Sequence, residues 1–239
     1  FVNNIRFISM AAIIAIHSDY FPESLTHNLS SVLIKQIFKF GTICFFMISG
    51  FLLGDKLNEV RPLEYFKKRL HSTFVPWLFW SCLYSLALIM VLIFRSEFSV
   101  SKMMQILINT ILYSNYWFVP NFLLALGLLL LFRGFFDKIW FGLLLFAGSI
   151  FYSVNLYHGW LPTQHTTALL GFVFYLWLGI QFNVHRDRLM PFVDSLRPQW
   201  LMLGLIFSYA LCILETYLLR KTPTDILNTL RVSNQIYSV

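Results

Sequence analysis

Arg6 and His17 lie in one apolar run, NNIRFISMAAIIAIH, eleven residues apart. A helix turns about 100° per residue, so eleven steps return to within roughly 20° of the starting face. The two side chains share that face and stand about 16 Å apart along the axis. Imidazole near neutral pH can take a proton from a hydroxyl, the work of a general base. The guanidinium stays charged and offers a planar fork to phosphate or carboxylate. One helix thus carries a base and an anion clamp at different depths. The bland reading has Arg6 snorkelling to headgroups and His17 packing on a neighbour. Intramembrane ionisable groups are costly and mostly functional, which favours the first reading.

Other residues carry weaker signals. Lys67, Lys68 and Arg69, with His71, form a basic stretch. It is either a topology signal touching anionic lipid or a platform for phosphates. Ser49 and Gly50 sit inside FFMISGFLLG. Close helix packing is the stronger reading there, with Ser49 as a substrate contact the weaker. Trp117 either anchors a helix at the membrane surface or lines a cavity. Asp19 and Glu23 follow His17, either orienting it or facing water. Lys35 and Lys39 share a face and are expected to snorkel. Glu215 is expected near the outer surface. His158 and His165 have no metal-ligand spacing, and no metal site is expected. Cys44, Cys82 and Cys212 fall in apolar runs and read as packing residues.

The elements that must position these groups are membrane helices. Of the 239 residues 58% are hydrophobic and 12% charged, against about 25% charged in a soluble domain. Seven runs are long enough to span, at 4–20, 33–54, 74–94, 117–133, 139–156, 166–183 and 200–219. Helices are required because lipid offers backbone groups no other partner. Residues 62–72 read as an amphipathic helix leading into the third span, and 103–113 as an interfacial or re-entrant helix. Trp77, Trp80, Trp117 and Trp160 fall near predicted span ends, where interfacial aromatics gather.

The net charge of +7 is not a nucleic-acid signature, because the basic residues cluster in short connections. Lys56, Arg61, Lys67, Lys68 and Arg69 follow the second span, Arg133 and Lys138 the fourth, and Arg186, Arg188 and Arg197 the sixth. Residues 21–32 and 157–165 hold no Lys or Arg. The basic set belongs in the cytoplasm, which places the N-terminus there too. The chain opens on Phe1 rather than Met and reads as one transmembrane domain over 1–239, truncated at both ends.

Four motifs carry a family resemblance. NNIRFISMAAIIAIH is similar to the opening of the acyltransferase 3 family of bacterial membrane acyltransferases, Asp-x-x-Arg and then a His beyond ten intervening residues. FFMISGFLLG resembles that family's second helix, and YFKKRLHSTFVPWLFW its basic helix and Pro-aromatic third span. SNYWFVPNFLLAL resembles its later Trp-Phe helix start. The resemblance implies an all-α bundle of about ten helices, of which about seven are here. It implies transfer of an acyl group, commonly acetyl from acetyl-CoA, to a hydroxyl of a surface or lipid-linked glycan. It carries essential roles to Arg6 and His17, and the first Arg of an Arg-x-x-Arg element to Arg69. Asn3 stands where the family prefers Asp, and Ser72 where the second Arg would be; Lys68 and His71 are the candidate substitutes.

The expected protein is a multi-pass acyltransferase of the bacterial inner membrane, with acyl-CoA as co-substrate and the bilayer and a glycan as partners. The alternative is a transporter of an anionic or lipid-linked substrate, using Arg6 and His17 as a binding or proton-relay pair. The orientation is tested by cysteine labelling in intact cells. A cysteine at position 61 should resist an impermeant reagent added outside, and one at position 27 should react. Labelling at 61 would invert the topology and move the cofactor side with it.

Overall fold

The computed structural model describes residues 2–17, 29–56, 61–113, 117–219 and 227–239, and every regular element among them is helical. The chain divides into two compact units. One comprises Phe1–Glu59 with Gly134–Val239, and the other Val60–Arg133.

The first unit is built on α1 (Val2–His17), α2 (Leu29–Phe38), α3 (Gly41–Gly54), α8 (Ile139–His158), α9 (Val173–Val184), α10 (Arg186–Ser195), α11 (Pro198–Leu219) and α12 (Val232–Ser238). Its centre is the α3–α9 pair. A Cβ on Gly50 would stand 1.9 Å from the Leu176 carbonyl oxygen, and one on Gly179 1.9 Å from that of Met47. The two backbones therefore touch, which only glycine permits. Below this contact, a Cβ on Gly54 would meet Asn183, and the Asn183 amide donates to Asp55 over 2.8 Å. Phe46, Gly50 and Gly54 thus meet Phe172, Leu176 and Asn183 in turn, so the helices run in the same direction. Phe46 stacks on Phe172 at 5.0 Å between ring centres.

Two helices run the opposite way against this pair. α1 crosses α3 at Gly41, whose Cβ would lie 2.9 Å from the Ser9 carbonyl oxygen and 3.1 Å from Ala12 and Ile13. α8 meets α9 at Gly142 against the Trp177 ring. Ser149 Oγ donates to the Gly171 carbonyl over 2.7 Å. At the far end of α9 the Trp177 indole and the Gln181 amide both donate to the Phe136 carbonyl, at 3.2 and 3.0 Å. α8 closes on Gly159, whose positive φ of 64° is the left-handed cap conformation.

The second unit contains α4 (Pro62–Arg69), α5 (Val75–Phe94), α6 (Val100–Ile108) and α7 (Phe118–Leu131). Pro62 opens α4 at a position where its missing N–H costs nothing. A π-helical turn, Leu70–Phe74, joins α4 to α5 without a break. The 33 continuous residues Pro62–Phe94 extend about 50 Å, well beyond a hydrocarbon core of about 30 Å. The polar first turns must then lie outside lipid, as their amphipathic pattern predicts. Trp77, Ser81 and Ser85 recur every fourth residue and form the buried face of α5. Phe66 packs on Gly127, holding α4 against α7. Ser99 caps α6 by accepting from the Lys102 backbone N–H, and Lys102 pairs with Glu97 at 2.9 Å.

Four stretches are long and apolar enough to cross a membrane: Val32–Gly54, Pro62–Phe94, Ile139–His158 and Pro198–Leu219. Three shorter apolar helices are Val2–His17, Phe118–Leu131 and Val173–Val184. Together they coincide with the seven predicted runs. The details differ in three places. The second run is broken by a turn at Lys39–Phe40. The sixth begins at Val173 rather than 166, because 165–167 form a 3-10 turn. Residues 103–113 continue from α6 into a π-helical stretch, Asn109–Tyr113.

The α3–α9 contact generates a direct test. Gly50→Leu or Gly179→Leu must push two backbones apart, costing at least the 1–3 kcal/mol or so of ordinary overpacking. Thermal unfolding in detergent should show a clear loss for both. Gly204→Ala, where a Cβ meets nothing within 4 Å, should leave the midpoint unchanged. A normal midpoint for Gly50→Leu would mean that the helices do not touch.

Candidate functional site

The sequence placed its leading residues on one helix, and α1 runs unbroken from Val2 to His17. Arg6 and His17 are both exposed on the first unit, whereas Ser9 and Ala12 point into it. Among the described residues, neither Arg6 nor His17 has a hydrogen-bond partner. Asp19 and Glu23 lie outside the described residues.

Lys39 is a cation that acts on His17. It is buried, only 8% exposed, and occupies the turn between α2 and α3. Gly41, two residues on, is the point at which α3 touches Ala12 and Ile13. From there α1 rises one further turn to His17, and the two side chains interact electrostatically. The expectation that Lys39 snorkels outward is thus corrected: the helix break turns it inward. Ser49 is half-buried and next to Gly50, inside the α3–α9 contact region.

The second unit carries the basic stretch. Lys67 and Lys68 are exposed at the last turn of α4, and His71 is exposed in the π-turn. Arg69 is half-buried. Its Nε donates to the Tyr65 hydroxyl over 2.9 Å, and its guanidinium lies 5.4 Å from the Tyr65 ring centre. Tyr65 so fixes one edge of the fork. Ser72, in the place of a second Arg, donates to the Arg69 carbonyl. Trp117 is buried, 5% exposed, at the start of α7, and Trp77 is buried as well. Trp80 and Trp160 are exposed.

The largest polar assembly escaped the sequence reading. Residues 227–239 fold back into the first unit and bury Asn228, Arg231, Asn234 and Gln235. Arg231 is fully buried. Its guanidinium donates to the Asn228 carbonyl at 3.2 Å, to the Cys212 carbonyl at 3.3 Å, to the Thr216 hydroxyl and to the Gln36 side chain. Gln36 in turn donates to Asn234 over 3.1 Å. Glu215, late in α11, is buried in the protein. It accepts from the Tyr157 hydroxyl at 2.6 Å and from the Ser233 backbone N–H at 2.8 Å, capping α12. Gln235 links Tyr175 with Ser153. The available signal was a single one: an Arg amid Asn, Ser and Gln next to a hydrophobic span.

These features define a polytopic helical membrane protein with an ionisable first helix and a basic helix leading into its third span. The Acyl_transf_3 model, described as acyltransferase domain, matches residues 1–234. The chain belongs to the acyltransferase 3 family and is a multi-pass membrane acyltransferase. No curated protein and no solved structure matches it.

Proposed function

We propose that this acyltransferase moves an acyl group, acetyl in the first instance, from acyl-CoA to a hydroxyl of a cell-surface or lipid-linked glycan at the bacterial inner membrane. The observation that carries the reading is the exposed pair Arg6 and His17 on one unbroken helix. A thioester donor has a polyanionic end and a distant acyl carbon. It needs an anion clamp and a base at different depths, and α1 offers both. In this reading the CoA phosphates engage Arg6 on the cytoplasmic side, and Lys68, Arg69 and His71, in the other unit, are phosphate contacts tested separately below. The acyl arm reaches toward His17. The acceptor hydroxyl comes from the outer half, and His17 takes its proton as the oxygen attacks the thioester carbon.

The test uses native membranes and labelled acetyl-CoA. His17→Ala should lower transfer to the polysaccharide fraction by about 10²–10⁴-fold, the usual worth of a general base. Arg6→Lys should also be damaging, because an ammonium lacks the bidentate fork. A His17→Ala protein that acylates at near the normal rate would end this reading. Substrate flux without CoA release would favour the carrier alternative.

The donor side is separable in the same assay. If Lys68 and Arg69 hold phosphates, neutralising both should raise KM for acetyl-CoA more than it lowers kcat. Each charge-assisted contact is worth about 1.5–3 kcal/mol. An unchanged KM with normal insertion would return these residues to a topology role.

A further inference from the structure

Helix α10 buries none of its ten residues; Leu189 is half-buried and the others are exposed. Its connections fix where it lies. α9 ends at Val184 and α11 begins at Pro198, so His185 alone precedes α10, and Leu196 and Arg197 alone follow it. α9 is a short apolar helix, and α11 is long and apolar enough to cross a membrane. The 22 residues of α11 extend about 33 Å, so a hydrocarbon core of about 30 Å takes up nearly all of it. α10 is about 15 Å long, and the two residues after it reach back only about 7 Å. It therefore cannot stand out into water and return; it lies along the membrane surface.

Its residues are sorted for that position. At about 100° per residue, Leu189, Met190, Phe192 and Val193 share a sector of about 160°. Arg186 falls within this sector and Arg188 beyond one edge, whereas Asp187 and Asp194 lie together beyond the other. Phe192 is 62% exposed, so the protein leaves the apolar sector uncovered. At a membrane surface the phase that covers such a sector is acyl chain. Arg197 and Trp200, both exposed, carry the basic and interfacial pattern on to the start of α11. We propose that α10 is a binding site for anionic phospholipid, with its apolar sector among the acyl chains and Arg186, Arg188 and Arg197 on headgroup phosphates. The guanidinium fork suits phosphate. The Arg186–Asp187 pair, at 3.8 Å with both side chains exposed, is too loose to prevent this. Because both acids gather on the flank away from Arg188, the basic flank favours lipids of net negative charge over zwitterionic ones. Phosphates held there fix the depth at which α9 and α11 enter the membrane. The inference is independent of the acyl-transfer reading.

The experiment places a benzophenone amino acid at position 192, or at position 187, of the full chain. Each protein is reconstituted in vesicles of phosphatidylcholine and phosphatidylglycerol in equal parts, irradiated, and read by mass spectrometry for lipid adducts. Position 192 should give adducts and position 187 few. Phosphatidylglycerol should exceed phosphatidylcholine among them, because each arginine at an anionic surface is worth about a fivefold preference. Arg188→Gln with Arg197→Gln should cut that excess by about an order of magnitude. Arg188→Lys with Arg197→Lys, which keeps both charges, should retain most of it. If the first pair of substitutions impairs folding, salt decides on the unaltered arginines. Raising it from about 0.1 to 1 M shortens the Debye length from about 10 to about 3 Å and should erase the excess. Lipid adducts without an excess of phosphatidylglycerol, or an excess that neither substitution nor salt reduces, would overturn the headgroup site. Equal yields at 187 and 192, or no lipid adduct at 192, would overturn the in-plane helix. A protein adduct at 192 in native membranes, in place of lipid, would assign the face to a protein partner and overturn it too.

Discussion

The first unit depends on the contact of two helix backbones, α3 and α9, with nothing between them. Lipid tails are as apolar as leucine, so helices in a membrane gain little by burying hydrophobic side chains on one another. They associate through close packing, and close packing needs small residues. Gly50 and Gly179 each face a carbonyl of the opposite helix. The same device recurs outward, with Gly41 receiving α1 and Gly142 receiving the Trp177 ring of α9 on α8. Once these contacts are set, direction follows. α3 and α9 run parallel, and α1 and α8 run against them. Lys56 after α3 and Arg186 after α9 are thereby brought to one end of the unit.

A second constraint acts on the polar groups. An apolar surrounding leaves a guanidinium no solvent, and Arg231 must find its acceptors in the protein. It finds them on α2, on α11 and in its own lead-in segment. α12 has seven residues, too few to be stable as an isolated helix. Its place is set by Arg231, by Glu215 at its N-terminus and by Gln235 against Tyr175 and Ser153. Such a network contributes modestly to net stability and strongly to register. It holds the end of α2 in one rotational setting, and the orientation of Lys39 follows from that setting.

This division explains what the sequence could convey. Spans are written in local composition, and all seven predicted runs became helices. The glycine spacing in FFMISGFLLG announced a close helix contact. The pairing of Arg6 with His17 needed only the period of one helix. The partner of the contact, α9, was not legible, because nothing in 166–183 states which helix it meets. The burial of residues 227–239 was illegible for a deeper reason. Hydropathy scores each residue against its neighbours in the chain, whereas the acceptors of Arg231 lie at 36, 212, 216 and 228. Lys39 misled in the same way. Snorkelling is the usual fate of a lysine near a span end, and only a turn two residues long reverses it.

The types of the three cations fit their depths. Arg6 stands toward the end of the unit where α3 and α9 finish, because α1 runs against them. A guanidinium there keeps its charge whatever its surroundings and presents a fork suited to phosphate. Arg231 is also a guanidinium, but all its edges face protein, so its planar donors serve to tie three segments together. Lys39 lies between these extremes. A fork buried at the level of His17 would have to satisfy five donors, and each one left over would cost free energy in an apolar site. An ammonium has only three, so it leaves fewer donors to satisfy where it is buried. A guanidinium where it is exposed or fully surrounded by acceptors, and an ammonium at the buried turn, is therefore the arrangement that the cost of burying donors favours.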